Sequence, residues 1–144
     1  MNRLLACCVG AGLLVAAAGC SEPDKRVTAA TDDGALELTL SAGKNWLRPG
    51  ESLPVRLRVT SVDGRLAETV RDTVELLANN GSVMPSRVVI TFVGQADTLT
   101  KGVDAVYEDW LTFTVSPFAS DQRQGELHAL LRDLHATLKI RVVP

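Results

Sequence analysis

Leu53-Pro54-Val55-Arg56-Leu57-Arg58-Val59-Thr60 decides the fold. Aliphatic side chains take every odd position; proline, arginine and threonine take the even ones. Successive side chains of an extended chain point to opposite faces, so this period of two describes a strand with one apolar face. A helix would scatter the same residues around its circumference. Pro54 has no amide hydrogen, so the strand begins there or pairs on one side only at that point.

The same rhythm runs outward in both directions. Upstream, Leu36, Leu38 and Leu40 alternate with Glu37 and Thr39. Between the two runs, Pro49-Gly50 suits the centre of a type II turn, proline presetting one φ and glycine tolerating the positive one. Downstream, Val62-Asp63-Gly64 signals another turn, and Val74-Glu75-Leu76-Leu77-Ala78 reads as a third strand closed by Asn79-Asn80-Gly81. Arg87 to Val93 is rich in β-branched residues and reads as a fourth. Gly94-Gln95-Ala96-Asp97 turns the chain into Thr98-Leu99-Thr100. Leu111, Phe113 and Val115 then alternate with Trp110, Thr112 and Thr114.

The last segment carries two periods. Leu127, Leu130, Leu131, Leu134 and Leu138 fit a helix, and residues 125–135 are good helix formers. Leu127, Ala129 and Leu131, followed by Ala136, Leu138, Ile140 and Val142, fit a hairpin closed by Arg132-Asp133-Leu134. The clean alternation after His135 favours the hairpin. About seven short strands in series then predict an all-β antiparallel sandwich.

Several stretches together resemble a bacterial immunoglobulin-like domain of the invasin and intimin type. They are Pro49-Gly50-Glu51-Ser52, the strand Val55 to Val59, Asp63-Gly64, and Val74 through Val83. The ending agrees, with Leu111-Thr112-Phe113-Thr114-Val115, then Gly125-Glu126-Leu127-His128-Ala129 and a last strand to Val143. The resemblance covers most of residues 34–144. It implies an immunoglobulin-like sandwich that serves as a scaffold and brings no catalytic residues. Such domains usually occur in tandem, and one alone argues against a long adhesive stalk.

The N-terminus speaks to location. Met1-Asn2-Arg3 is a short basic start, and Leu4 to Ala18 is apolar and uncharged. That run is about fifteen residues, short of the roughly twenty that span a bilayer. Ala17-Ala18-Gly19-Cys20 supplies small residues before a cysteine, the order of a secretory signal. The cysteine makes it resemble a lipoprotein signal, in which the thiol of Cys20 takes diacylglycerol and becomes the new N-terminus. The other reading is an ordinary signal cut near Ala18, leaving Cys20 a free thiol. By the same resemblance, Ser21 points to the outer membrane of a Gram-negative envelope. The expected organisation is a signal peptide over residues 1–19, a lipidated cysteine and flexible tether over 20–33, and one domain over 34–144; the other reading of the tether lets Val27-Thr28 begin an edge strand.

Composition narrows the function. The formal net charge is −2, so nucleic-acid binding has no electrostatic support. The three cysteines are Cys7, Cys8 and Cys20, so processing at Cys20 leaves no thiol in the mature domain for a disulfide or a metal. Roughly 110 residues suffice for a core without either.

No constellation for catalysis emerges. His128 and His135, the only histidines, point outward on the hairpin reading, and a zinc site would need a third ligand. Ser120-Asp121 lacks a nucleophile-elbow signature. Glu108 and Asp109 fall on opposite faces of a strand, a poor acid–base pair, and with Asp104 they lack the ordered series of a calcium loop. The expectation is no metal, no cofactor and no enzyme. Trp46, Tyr107 and Trp110 are the candidate ligand-binding residues, since amphipathic aromatics on a rim suit a sugar or a protein partner. The competing reading places both tryptophans as caps on the core. Arg56, Arg58, Lys139 and Arg141 face outward, toward solvent, anionic lipid or polysaccharide. The reading is a lipid-anchored extracytoplasmic domain for noncatalytic recognition or envelope scaffolding. The alternative is an inhibitor or accessory subunit of a secreted enzyme, acting through the loop from Pro117 to Gln124.

Overall fold

The computed structural model describes residues 25–61, 70–92, 105–120 and 124–144. Those residues form ten strands and no helix. In chain order they are β1 (Lys25–Ala30), β2 (Leu36–Ala42), β3 (Trp46–Leu47), β4 (Ser52–Ser61) and β5 (Val70–Asn79). After these come β6 (Gly81–Met84), β7 (Arg87–Phe92), β8 (Ala105–Val115), β9 (Gln124–Leu131) and β10 (Leu134–Val142). One sheet has the order β1-β2-β4-β8-β6 and the other β3-β10-β9-β5-β7. Every pairing is antiparallel except β3 with β10. The two sheets pack face to face as a β-sandwich.

The period of two puts the core between the sheets. Leu38, Leu40, Val55, Leu57, Val59, Leu111 and Phe113 from the first sheet are buried against Val74, Leu76, Leu127, Leu131, Leu138 and Ile140 from the second. Each such side chain, fully buried, contributes about 1.5–3 kcal/mol. Pro54 faces Thr112 of β8, whereas β2 pairs with β4 only from Val55 onward, so the missing amide falls where β4 has one neighbour. The last segment is a hairpin, with Leu134 opposite Leu131 and Arg141 opposite Gln124.

Two expectations are corrected. Among the described residues the sandwich has ten strands where about seven were expected, because β1, β3 and β6 draw on backbone pairing more than on apolar alternation. The stretch 20–33, expected as a tether, contains β1, which pairs with all of β2 from Lys25↔Ala42 to Ala30↔Glu37. Only Val27 and Ala29 of β1 pack on the core, too few to give a visible period. Thr31 closes this hairpin, its hydroxyl accepting the Leu36 amide at 3.1 Å and donating to Asp33 at 2.7 Å, with Gly34 at φ 66°. The strand end expected at Asn79-Asn80-Gly81 is present, β5 stopping at Asn79, and the chain there crosses from the second sheet to the first with Gly81 already in β6, a corner made by a strand that switches sheets. The turns expected at 62–64 and 94–97, the run 98–100, Asp104, and everything before Lys25 including Cys20 lie outside the described residues.

Candidate functional site on the outer face of the first sheet

Strand register builds this site. The inward parity of β4 belongs to Val55, Leu57 and Val59, which sends Arg56 and Arg58 outward. Arg56 faces Ser41 on one side and Trp110 on the other; Ser41 in turn faces Arg26. The result is a cross-strand row of Arg26, Ser41, Arg56 and Trp110. The next row is Thr28, Thr39, Arg58 and Glu108. Arg26, Thr39, Ser41, Arg56 and Arg58 line an open depression of about 250 Å³. Thr39, one of these lining residues, shares a hydroxyl hydrogen bond of 3.0 Å with Thr28.

The electrostatics are one-sided. Arg56 Nη2 donates to both Glu108 oxygens, at 2.5 and 2.6 Å. That hydrogen bond, with the Arg56 and Arg58 charges, holds the Glu108 carboxyl below its ordinary pKa against the opposing effect of desolvation. Arg58 Nε is buried, lies 3.6 Å from Glu108 and makes no hydrogen bond. Two guanidinium groups, Arg56 and Arg58, thus share the Glu108 carboxylate, Arg26 stands on the same face without contacting it, and one buried N–H is left without an acceptor. Guanidinium groups present planar pairs of donors that match carboxylate and phosphate oxygens. Trp110 adds an indole that is 64% exposed beside them.

The three sequence-identified aromatics do not converge. Trp110 stands on the outer face of the first sheet, which corrects the reading of it as a cap on the core. Tyr107, on the opposite parity of β8, packs against the core and donates its hydroxyl to Asp109 at 3.3 Å. Burial, then the Asp109 carboxylate, push its pKa up. Trp46 belongs to the second sheet, in register with Arg141, with Lys44 Nζ 4.4 Å from its ring centroid. Arg26, Thr39 and Ser41 are not among the site residues read from the sequence. The Thr31–Gly34 turn, which fixes the register of β1 on β2, is the signal that could have found them.

Glu108 and Asp109 do fall on opposite faces. Asp109 accepts from the Trp110 amide at 2.8 Å, and Glu108 belongs to the arginines. His128 and His135 both point outward and meet diagonally across β9 and β10, Nδ1 to Nε2 at 3.1 Å, with Thr137 Oγ1 within hydrogen-bond distance of each. Among the described residues, no group of three or more His, Cys, Asp and Glu is placed to hold a metal ion. Ser120 is exposed after the Ser116–Ala119 turn, and residues 121–123 of the loop expected to engage an enzyme lie outside the described residues. No known family model matches this chain, and no curated protein matches it.

Proposed function

We propose that this is a lipid-anchored extracytoplasmic recognition domain whose ligand is an acidic polysaccharide, bound on the outer face of the first sheet. The anchor is the lipid on Cys20, and the site is noncatalytic. The observation that carries the reading is Trp110, exposed and in register with Arg56 on the same face as Arg26 and Arg58. An exposed indole suits the apolar face of a sugar ring. The guanidinium groups suit its carboxylates, and Ser41 and Thr39 suit its hydroxyls. The resemblance to bacterial immunoglobulin-like domains supports a scaffold that presents such a face without chemistry of its own.

Calorimetric titration with polygalacturonate, against neutral dextran, tests the ligand class. The expected result is binding to the acidic chain alone, weakened at least tenfold in Trp110→Ala and in Arg56→Ala, with the melting temperature of Trp110→Ala nearly unchanged. Equal binding to dextran, or none to polygalacturonate, refutes it. The anchor is tested separately: Cys20→Ser is expected to lose diacylglycerol by mass and to leave the membrane fraction.

A further inference from the structure

We propose that the end of the sandwich where the chain enters β1 rests on an anionic membrane surface. This rests on the reading of Cys20 as the lipid anchor. Lys25 begins β1 five residues after Cys20. Five residues extend to at most about 18 Å, so whatever lies beside Lys25 is kept close to the headgroups.

What lies there is cationic. Lys25, Lys139 and Arg141, with the amides of Asn45 and Gln124, surround a hollow of about 400 Å³. Among the described residues, no carboxylate pairs with any of these three cations. This differs from the polysaccharide face, where Glu108 already engages two of the arginines. Three unpaired cations around a hollow accept phosphate oxygens, and each basic group near an anionic leaflet adds to the attraction.

The cationic hollow continues into an aromatic rim. Arg141 is in register with Trp46, and Lys44 Nζ lies 4.4 Å from the Trp46 ring centroid and 3.7 Å from Glu51. The Glu51 carboxylate also accepts the Arg48 amide at 3.0 Å, closing the Arg48–Glu51 turn. Gly50 of that turn lies beside Pro117, and the next residue, Phe118, is 95% exposed at the tip of its own turn. Tryptophan, basic side chains and a bare phenylalanine at one end are what the bilayer interface selects: indole at the headgroups, cations on anionic lipid, an apolar tip between chains. An end of this composition, tied by a short segment to a lipid, therefore has the membrane itself as its occupant.

Tryptophan fluorescence of the mature protein on vesicles containing brominated phosphatidylcholine tests this, with or without 30% phosphatidylglycerol. In Trp110→Phe, Trp46 alone reports. Its emission is expected to fall at least twofold on the anionic vesicles. The loss should be reversed by 0.5 M NaCl and by the double variant Lys25→Glu, Arg141→Glu, whose fold is checked by circular dichroism. In Trp46→Phe, the Trp110 signal should stay constant. Equal quenching of both tryptophans, equal quenching on neutral vesicles, or an unquenched Trp46 on protein that floats with anionic vesicles overturns the proposal. Mass spectrometry separates the two readings. A chain without lipid refutes the anchor alone, and salt-sensitive partition of that same chain between the two vesicle types then decides the docking.

Discussion

The Phe113 ring closes the space above Gly81: a methyl group on Gly81 would stand 2.9 Å from its Cζ and 2.5 Å from the Thr114 carbonyl oxygen. Gly125, on the opposite sheet, meets the same ring, its added methyl 3.0 Å from Cζ. Neither glycine has the positive φ that would explain it by backbone freedom; the adjacent Asn80, at φ 54°, takes that conformation. Both glycines are there for room.

This geometry separates two substitutions that look alike. Gly81→Ala and Gly125→Ala should each lower stability by about 1–3 kcal/mol, the usual result of overpacking. Shrinking the ring with Phe113→Leu should rescue Gly125→Ala with a coupling of about 1 kcal/mol, since the ring is its closest obstacle. It should leave Gly81→Ala largely unrescued, because the Thr114 backbone stays in place. Gly43→Ala, which meets nothing within 4 Å, is the neutral control. Denaturant unfolding of these six variants, four single and two double, reads the pattern, and equal rescue of both alanines would contradict it.

Acid should loosen the first sheet through Glu108. Its pKa is depressed in the folded protein, first by the Arg56 hydrogen bond. A depressed carboxyl contributes stability that is complete above its unfolded value of about 4.3 and disappears as pH falls through the lower folded value. The melting temperature should therefore hold between pH 7 and 5 and fall below about pH 4. Glu108→Gln should start lower at pH 7 and fall less steeply. A parallel descent of both proteins would remove Glu108 from the acid response.

Arg132 carries two opposed effects. It sits at φ 54° in the β9–β10 turn, a conformation unfavourable for a side chain with Cβ, and its Nε donates to Asp72 at 2.6 Å. Arg132→Ala loses the ion pair and keeps the strain; Arg132→Gly loses the pair and relieves it. Glycine should thus be the more stable of the two by about 1 kcal/mol. Thermal melts of the pair check the order.

The limits of the sequence show in these same residues. Leu53 to Thr60 and Ala136 to Val142 are legible because one face of each strand meets the core and the other meets solvent. The parity of Leu111 and Phe113 likewise foretells that Trp110 points outward. β6 is not legible: Gly81 looks like turn chemistry, and only the Phe113 ring, 32 residues later in number, explains it. β1 is only faintly legible, as the lesser reading of an edge strand from Val27-Thr28, since an edge strand held by backbone pairing needs few apolar side chains. The Arg26–Ser41–Arg56–Trp110 row requires the registers of four strands at once, which no local pattern encodes. The meeting of His128 with His135 needs only the hairpin register, and a two-residue Arg132-Asp133 turn would have fixed that.

Tyr107 offers a direct optical test, because it is the only tyrosine in the chain. Burial first, and then the Asp109 carboxylate that accepts its hydroxyl, raise its pKa above the ordinary 10.0. Absorbance near 295 nm should thus show a single phenolate appearing with a midpoint above 10, in a protein that is still folded. Asp109→Asn removes the negative charge and should move the midpoint down, leaving the part due to burial. The sign for stability follows. A pKa raised on folding contributes stability that is full below the unfolded value and lost as pH rises through the folded one. Tyr107→Phe should consequently lose less stability between pH 9 and 11 than the parent. An unshifted midpoint in the folded protein would mean that the ring is solvated, and Tyr107 would then join Trp110 as an exposed aromatic of β8.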